Sequence, residues 1–169
     1  MQPTEGPGGL LIDGTLRSWK GNVDRIGKYF GALSADQLQE EVAPERNRLI
    51  YLWGHIAAAN DGLFPLVGLG PRLYPELEAM FVNNPDRALT TIYSADELKH
   101  AWNHINEKLW AGFIGWSPAD WLAKHTAVSA EEFRREPHRN CYAAMLTRNV
   151  HMAYHFGQAI LAKPSDSRP

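Results

Sequence analysis

Cysteine is almost absent from this sequence, and so is any large imbalance of charge. Cys141 is the only cysteine, so the chain can form no intramolecular disulfide, and we expect a reducing, cytoplasmic compartment. The 17 basic and 19 acidic residues leave a net charge of −2, and no basic run stands out. Because nothing in this composition attracts a polyanion, we expect no nucleic-acid partner.

Long uninterrupted hydrophobic runs are also missing. The most apolar stretch, residues 49–69, is interrupted by His55, Asn60, Asp61 and Pro65, so we interpret it as a buried helix rather than a membrane span. The first residues carry no basic segment followed by a long apolar one, and no signal peptide is expected. The sequence therefore predicts no membrane partner.

Strand-like alternation of apolar and polar residues is absent, whereas helical periodicity recurs along the chain. We predict four long helices, over residues 10–33, 46–69, 94–114 and 140–162. Ser34 and Ser94 each begin a capping box, in which a serine is followed three residues later by glutamine or glutamate. Gly70 should end the second long helix and Pro164 the last one.

The connections between these helices are unequal in length. Residues 71–93 form a connection that is long for a helical bundle and indicates a crossover or a functional loop. Ser117 and Ser129 should start shorter helical turns before the last helix. The prediction is one all-α domain over residues 1–169, an antiparallel four-helix bundle with a long crossover connection.

Two pairs of histidines have the spacing His-x-x-x-His, which places two imidazoles one helical turn apart, where both can reach one metal ion. The pairs are His100 with His104 on the third helix and His151 with His155 on the fourth. The first pair lies opposite the apolar stripe of its helix and beside charged residues. We interpret it as part of a solvent-exposed face and keep it as the second candidate for a metal site.

The fourth helix has an unusual composition, because Arg148 is its only charged residue between Cys141 and Ala162. Its main apolar stripe is predicted to face the core, with His151 and His155 on the far side. This stripe consists of Tyr142, Leu146, Val150, Ala153, Phe156 and Ile160. A helix with one charge is poorly suited to keeping a whole face in water, so we expect the two histidines to lie in a cleft or a packed interface.

The second helix is also nearly free of charge and carries one histidine, His55. A lone histidine in an apolar helix is more often a core residue than a metal ligand. His55 becomes a candidate because the other nearly neutral helix carries the His151 and His155 pair. Three neutral imidazoles would leave a divalent metal with open positions for water or substrate, and they suit zinc, nickel, iron and copper alike.

For three other candidate site residues, the sequence allows both a functional and a purely structural role. Arg148 could bind an anionic group of a substrate or pair with an acidic neighbour. Gln158 could support His155 or make an ordinary polar helix contact. Tyr51 could line a substrate pocket or belong to the core. Cys141 is interpreted as a buried structural cysteine.

The last helix reads His151-Met-Ala-Tyr-His155-Phe-Gly157-Gln158, and this HxxxHxGQ pattern is similar to the signature of the DinB/YfiT-like family. The sequence LWGHIA at residues 52–57 resembles the family's other histidine-bearing segment, and the length and the order of the histidines match over nearly the whole chain. The connector WSPADW at residues 116–121 also resembles family members, more loosely.

The resemblance implies a four-helix bundle, usually a homodimer, that binds a divalent metal through His55, His151 and His155, with zinc or nickel favoured. It also implies a small-molecule substrate, because characterised relatives include transferases and isomerases that use low-molecular-weight thiols. A metal-dependent hydrolase, or a metal-binding or stress-associated protein without turnover, is the alternative. This chain has no obvious carboxylate one turn from the histidines, which leaves the fourth metal ligand open.

Overall fold

The computed structural model describes residues 6–162, and this part of the chain is all-α, as predicted. It contains nine helices and no strand, apart from isolated bridges. The helices are α1 Pro7–Gly31, α2 Ala35–Leu38, α3 Leu49–Asp61, α4 Leu63–Val67, α5 Glu76–Phe81, α6 Ala95–Phe113, α7 Pro118–Leu122, α8 Ala130–Arg135 and α9 Cys141–Leu161. None of these helices combines the length and the apolarity that crossing a bilayer would require.

The helix starts follow local capping chemistry. Capping boxes begin α2, α6, α7 and α8, at Ser34, Ser94, Ser117 and Ser129. In each box the serine hydroxyl oxygen accepts a hydrogen bond from the backbone N–H three residues later, and that residue's side chain accepts one from the serine N–H. These four predicted starts are confirmed. Pro164, the predicted stop of the last helix, lies outside the described residues.

The predicted second helix, residues 46–69, is wrong in its extent. The structure divides it into α3, which ends at Asp61, and α4, which ends where Gly68 adopts a left-handed conformation with φ of 81°. Pro65 has no backbone N–H and therefore leaves the carbonyl of Asp61 without its helical partner, which explains the break. The connection after α4 is not irregular throughout, because α5 lies within it.

The four longest helices share one hydrophobic core. Helix α1 packs against α6 and α9, and α3 packs against the same two helices. Four tryptophans are fully buried between the helices, namely Trp19, Trp53, Trp102 and Trp121. Each large apolar side chain removed from water in this way stabilises the fold by about 1.5–3 kcal/mol.

The direction of α1 relative to α9 differs from the antiparallel prediction. Asn22 Nδ2 donates to Asn149 Oδ1 at 2.6 Å, and Tyr29 Oη donates to the carbonyl of Ala159 at 2.9 Å. Because both residue numbers rise along the contact, α1 and α9 run parallel, and the antiparallel arrangement is wrong for this pair.

The other contacts explain how a parallel pair arises. Helix α1 runs opposite to α6, since Trp19 stacks on Trp110 whereas Gly27, two turns later, faces Trp102. Helix α3 runs opposite to α9, as the contacts of the histidines described below show. It follows that α3 and α6 share a direction. The long connection predicted between them, which here contains α4 and α5, returns the chain to the other end of the core before α6 begins.

The face of α9 that enters the core also differs from the prediction. In the predicted apolar stripe, Leu146, Val150 and Ile160 are 41%, 62% and 49% exposed. The buried residues of this helix are instead Cys141, Met145, Asn149, Met152 and Ala159. Small or flexible side chains and the Asn22–Asn149 bond let α9 approach α1 and α3 closely, and this turns the more apolar stripe outward.

Candidate metal centre

The three predicted histidines meet in the groove between α3 and α9. His151 and His155 lie one turn apart on the same face of α9, and His55 reaches them from α3. All three side chains are half-buried. Further along α3, Asn60 Nδ2 contacts Met152 Sδ, which shows the antiparallel direction of the two helices. The helix packing therefore brings together the residues that the sequence placed on two separate helices.

The ring nitrogens of the three histidines converge. His151 Nε2 lies 3.2 Å from His55 Nε2 and 3.1 Å from His155 Nε2. One donor atom from each ring lies within 4.8 Å of the other two. A tetrahedral ion with metal–nitrogen bonds of 2.0–2.1 Å separates its ligand nitrogens by about 3.3 Å. The residues present therefore fit a single divalent ion held by three imidazoles.

Two of the rings are oriented by oxygen acceptors behind them. His55 Nδ1 donates to the backbone carbonyl of Phe81 at 2.8 Å, and His155 Nδ1 donates to Gln158 Oε1 at 2.9 Å. A carbonyl oxygen can only accept, so each Nδ1 carries the proton and each Nε2 presents its lone pair. Metal-binding histidines ordinarily have such partners, which fix the tautomer and raise the basicity of the ligand nitrogen.

The electrostatics of the site favour neutral rings, which is the form that binds metal. Burial, followed by the proximity of His155, His55 and Arg148, lowers the pKa of His151 to about 4. Burial is also the main cause that lowers the pKa of His155, with a contribution from His55, although the hydrogen bond to Gln158 opposes it. Both rings are therefore uncharged at neutral pH.

A close contact between α3 and α5 places the carbonyl that orients His55. A Cβ atom added to Gly54 would lie 2.4 Å from Phe81 Cδ1, so glycine at this position lets the buried Phe81 ring approach α3 this closely. Sequence reasoning missed Phe81, because the atom that acts is in the backbone and no residue type signals it.

The three predicted substrate-binding residues have different surroundings. Tyr51 stacks on the ring of His55, and its hydroxyl donates to the carbonyl of Asn84 at 2.7 Å. Gln158 is the hydrogen-bond partner of His155 described above. Arg148 precedes His151 by one turn on α9, and its Nε is buried with no hydrogen-bond partner among residues 6–162. Gln158 thus orients His155, whereas Arg148 Nε has no hydrogen-bond acceptor in the described part of the chain.

The second histidine pair has a different environment. His100 is exposed and His104 is half-buried, with its Nδ1 2.9 Å from the hydroxyl of Tyr74. A fully solvated face was therefore predicted correctly for His100 only. Cys141 is buried, as expected of a structural cysteine.

The histidine triad has no acidic member. Within residues 6–162, it is the only set of three or more histidine, cysteine or carboxylate side chains whose donor atoms come close enough to hold a metal ion. Comparison of the chain with known protein families and with curated proteins gave no match to either.

Proposed function

We propose that this chain is a DinB/YfiT-like four-helix-bundle protein that binds one divalent metal ion, zinc or nickel, through His55, His151 and His155. In this proposal the metal keeps open positions at which a small molecule reacts. The reaction is either the transfer of a low-molecular-weight thiol to the small molecule through its sulfur or a thiol-dependent isomerisation of that molecule. It takes place in a reducing, cytoplasmic compartment. The observation that carries the proposal is the convergence of three Nε2 atoms, two of them from rings whose outer nitrogens are held by oxygen acceptors.

The absence of an acidic residue from the triad distinguishes between the possible reactions. A bound divalent metal would act as a Lewis acid that lowers the pKa of a water or a thiol. Hydrolysis by a zinc site commonly uses a carboxylate as general base, and no carboxylate lies within ligand distance of the three histidines among the described residues. A thiol coordinated to metal is deprotonated outright and needs no such base. Thiol chemistry is our first candidate, and hydrolysis, which a metal-bound hydroxide would carry out, is the second.

The chain's own residues would have three tasks in this reaction. Phe81 and Gln158 hold the rings of His55 and His155 in one tautomer, so the site needs little rearrangement when the metal enters. The half-buried groove between α3 and α9 limits access of water to the metal. Tyr51 covers one face of the His55 ring and restricts the space beside it.

Thiol binding can be tested with cobalt, because zinc has a filled d shell and gives no visible spectrum. Protein purified without a histidine tag is loaded with Co²⁺, and its spectrum is recorded with 2-mercaptoethanol or with ethylene glycol. We expect an additional sulfur-to-metal charge-transfer absorption with the thiol only. Identical spectra with both compounds would contradict a thiol reaction and would leave a hydrolase or a metal-binding protein without turnover.

We further propose that the protein is a homodimer formed through the outer face of α9. Leu146, Val150, Tyr154, Ile160 and Leu161 are large apolar or aromatic residues exposed on this one helix. The helix carries a single charged residue, Arg148, so this face has no charges of its own to hold water. A contiguous apolar face of this kind favours association, and a two-fold axis is the commonest arrangement for it.

Sedimentation of the protein at micromolar concentration should give about twice the 19.0 kDa mass of the chain. Val150→Glu places a charge in the centre of the outer α9 face and should produce the monomer. Ala111→Glu is the matched control, because it adds the same charge to an exposed position on α6. A wild-type protein that sediments as a monomer would rule out the dimer.

A further inference from the structure

Arg148 has no acidic partner among residues 6–162. Its Nε is buried and lacks a hydrogen-bond acceptor, and no acidic side chain forms an ion pair with it in the described part of the chain. Burial lowers the pKa of Arg148, and the nearby charge of Arg72 lowers it further. Arg148 is half-buried, and a buried donor without an acceptor is costly to a fold, so its Nε calls for an explanation.

The two acidic residues near Arg72, Glu78 and Asp61, already interact with Arg72. Arg72 Nη2 donates to Glu78 Oε1 at 2.8 Å, and its Nη1 lies 3.9 Å from Asp61 Oδ2. The Asp61 carboxylate also accepts from the backbone N–H groups of Leu73, at 2.8 Å, and Tyr74, at 3.2 Å. These contacts pair Arg72 with two carboxylates, whereas no acidic side chain among residues 6–162 pairs with Arg148.

A second unsatisfied donor lies one turn away on the same face of α9. His151 Nδ1 is buried and has no hydrogen-bond partner within residues 6–162. When His151 Nε2 faces the metal, Nδ1 carries the proton and requires an acceptor, as it has in His55 and His155. Residues three apart on a helix are neighbours on its surface, and the charge of Arg148 lies near enough to lower the pKa of His151.

We propose that Arg148 and His151 Nδ1–H receive an oxyanion group, a carboxylate or a phosphate, of the small molecule that reacts at the metal centre. A guanidinium can donate two parallel hydrogen bonds to such a group, and the imidazole N–H adds a third donor. The oxyanion would accept from both donors and pair with the charge of Arg148. The part played by His151 rests on the proposed metal site, whereas the part played by Arg148 does not.

Oxyanion binding is measured on the full chain without metal, because phosphate could otherwise bind the metal itself. Thermal unfolding and calorimetric titration are performed with sodium phosphate, sodium acetate and sodium chloride at matched ionic strength. We expect phosphate or acetate to bind and to raise the unfolding temperature more than chloride does. The stronger of the two identifies the oxyanion class.

Arg148→Met removes the charge while keeping much of the side-chain volume. Hydrogen bonds to a charged group contribute about 1.5–3 kcal/mol, so the dissociation constant of the preferred oxyanion should rise about tenfold or more. In chloride alone the variant should unfold at the same temperature as wild type or higher, since a buried N–H without an acceptor is gone. Arg134→Met is the matched control, because Arg134 is exposed on α8, and it should leave oxyanion binding unchanged.

The outcomes separate this inference from the proposed metal function. Oxyanion binding that is equal in wild type and Arg148→Met, or no stronger than chloride binding in wild type, overturns the inference even if the metal is bound. Oxyanion binding that depends on Arg148 supports it, even in a protein that fails to bind metal. Metal content per chain, measured on the same preparations, tells the two cases apart.

Discussion

Replacing His151 with alanine is expected to abolish stoichiometric binding of a divalent metal ion while the protein remains helical. His151 is the middle member of the triad, since its Nε2 lies 3.1–3.2 Å from the Nε2 atoms of both other histidines. Without it, His55 and His155 can supply only two ligands, too few for a stable protein site. Alanine is the best helix former, so α9 should persist. Metal content per chain after dialysis, together with circular dichroism, measures both effects.

His104→Ala is the matched control for this substitution. His104 is also half-buried and also follows another histidine by one turn, but it bonds to Tyr74 rather than to the triad. It should retain one metal ion per chain. If His104→Ala or His100→Ala loses the metal and His151→Ala keeps it, the site proposed here is wrong.

Acidification of the wild-type protein provides a second measure of the same site. An ordinary histidine, with a pKa near 6.5, would exchange its metal for protons around pH 6. The pKa of His151 is lowered to about 4 and that of His155 is also lowered, so metal content should fall at a lower pH than in a site of ordinary histidines. In the metal-free protein, His151 is protonated at a higher pH in the unfolded chain than in the folded one. The free energy of unfolding should therefore decrease as the pH falls from about 6.5 to about 4.

Gly54→Ala is expected to destabilise the protein and to weaken the metal site at once. The new methyl group would lie 2.4–2.5 Å from ring atoms of Phe81, which is fully buried, so the ring or α3 would have to shift. Overpacking of this kind lowers the free energy of unfolding by about 1–3 kcal/mol. Displacement of Phe81 also moves the carbonyl that orients His55, and loss of such a partner weakens metal affinity about 10–100-fold.

Gly157→Ala is the matched control, since Gly157 is also a helical glycine beside a histidine of the triad. A Cβ atom there would meet nothing within 4 Å. The gain in helix propensity should raise the free energy of unfolding by about 0.5–1 kcal/mol and leave metal affinity unchanged. Chemical denaturation and metal titration of both variants make the comparison. If Gly54→Ala has the same free energy of unfolding and the same metal affinity as Gly157→Ala, the α3–α5 contact does not position His55.

The outer face of α9 shows where reasoning from the sequence fails. The stripe with Leu146 and Val150 is the more apolar one, and hydrophobic periodicity therefore assigns it to the core. In the structure it is exposed, while Asn149 and Met145 are buried. Periodicity finds the faces of a helix, but a buried bond such as that between Asn149 and Asn22 on another helix decides which face turns inward.

The sequence by itself determined the helical content of this protein, the capped starts of α2, α6, α7 and α8, and the spacing that pairs His151 with His155. These features depend on contacts within four residues, which the order of the amino acids specifies directly. The nearly neutral composition of the helix that carries His55 made it a candidate third ligand, and the resemblance to the DinB/YfiT-like family reinforced that prediction.

Only the tertiary structure decided that α1 and α9 run parallel, that the carbonyl of Phe81 orients His55, and that Arg148 has no acidic partner among the described residues. Each of these depends on residues far apart in the chain. Their proximity follows from how the helices pack against one another, which helical periodicity does not encode.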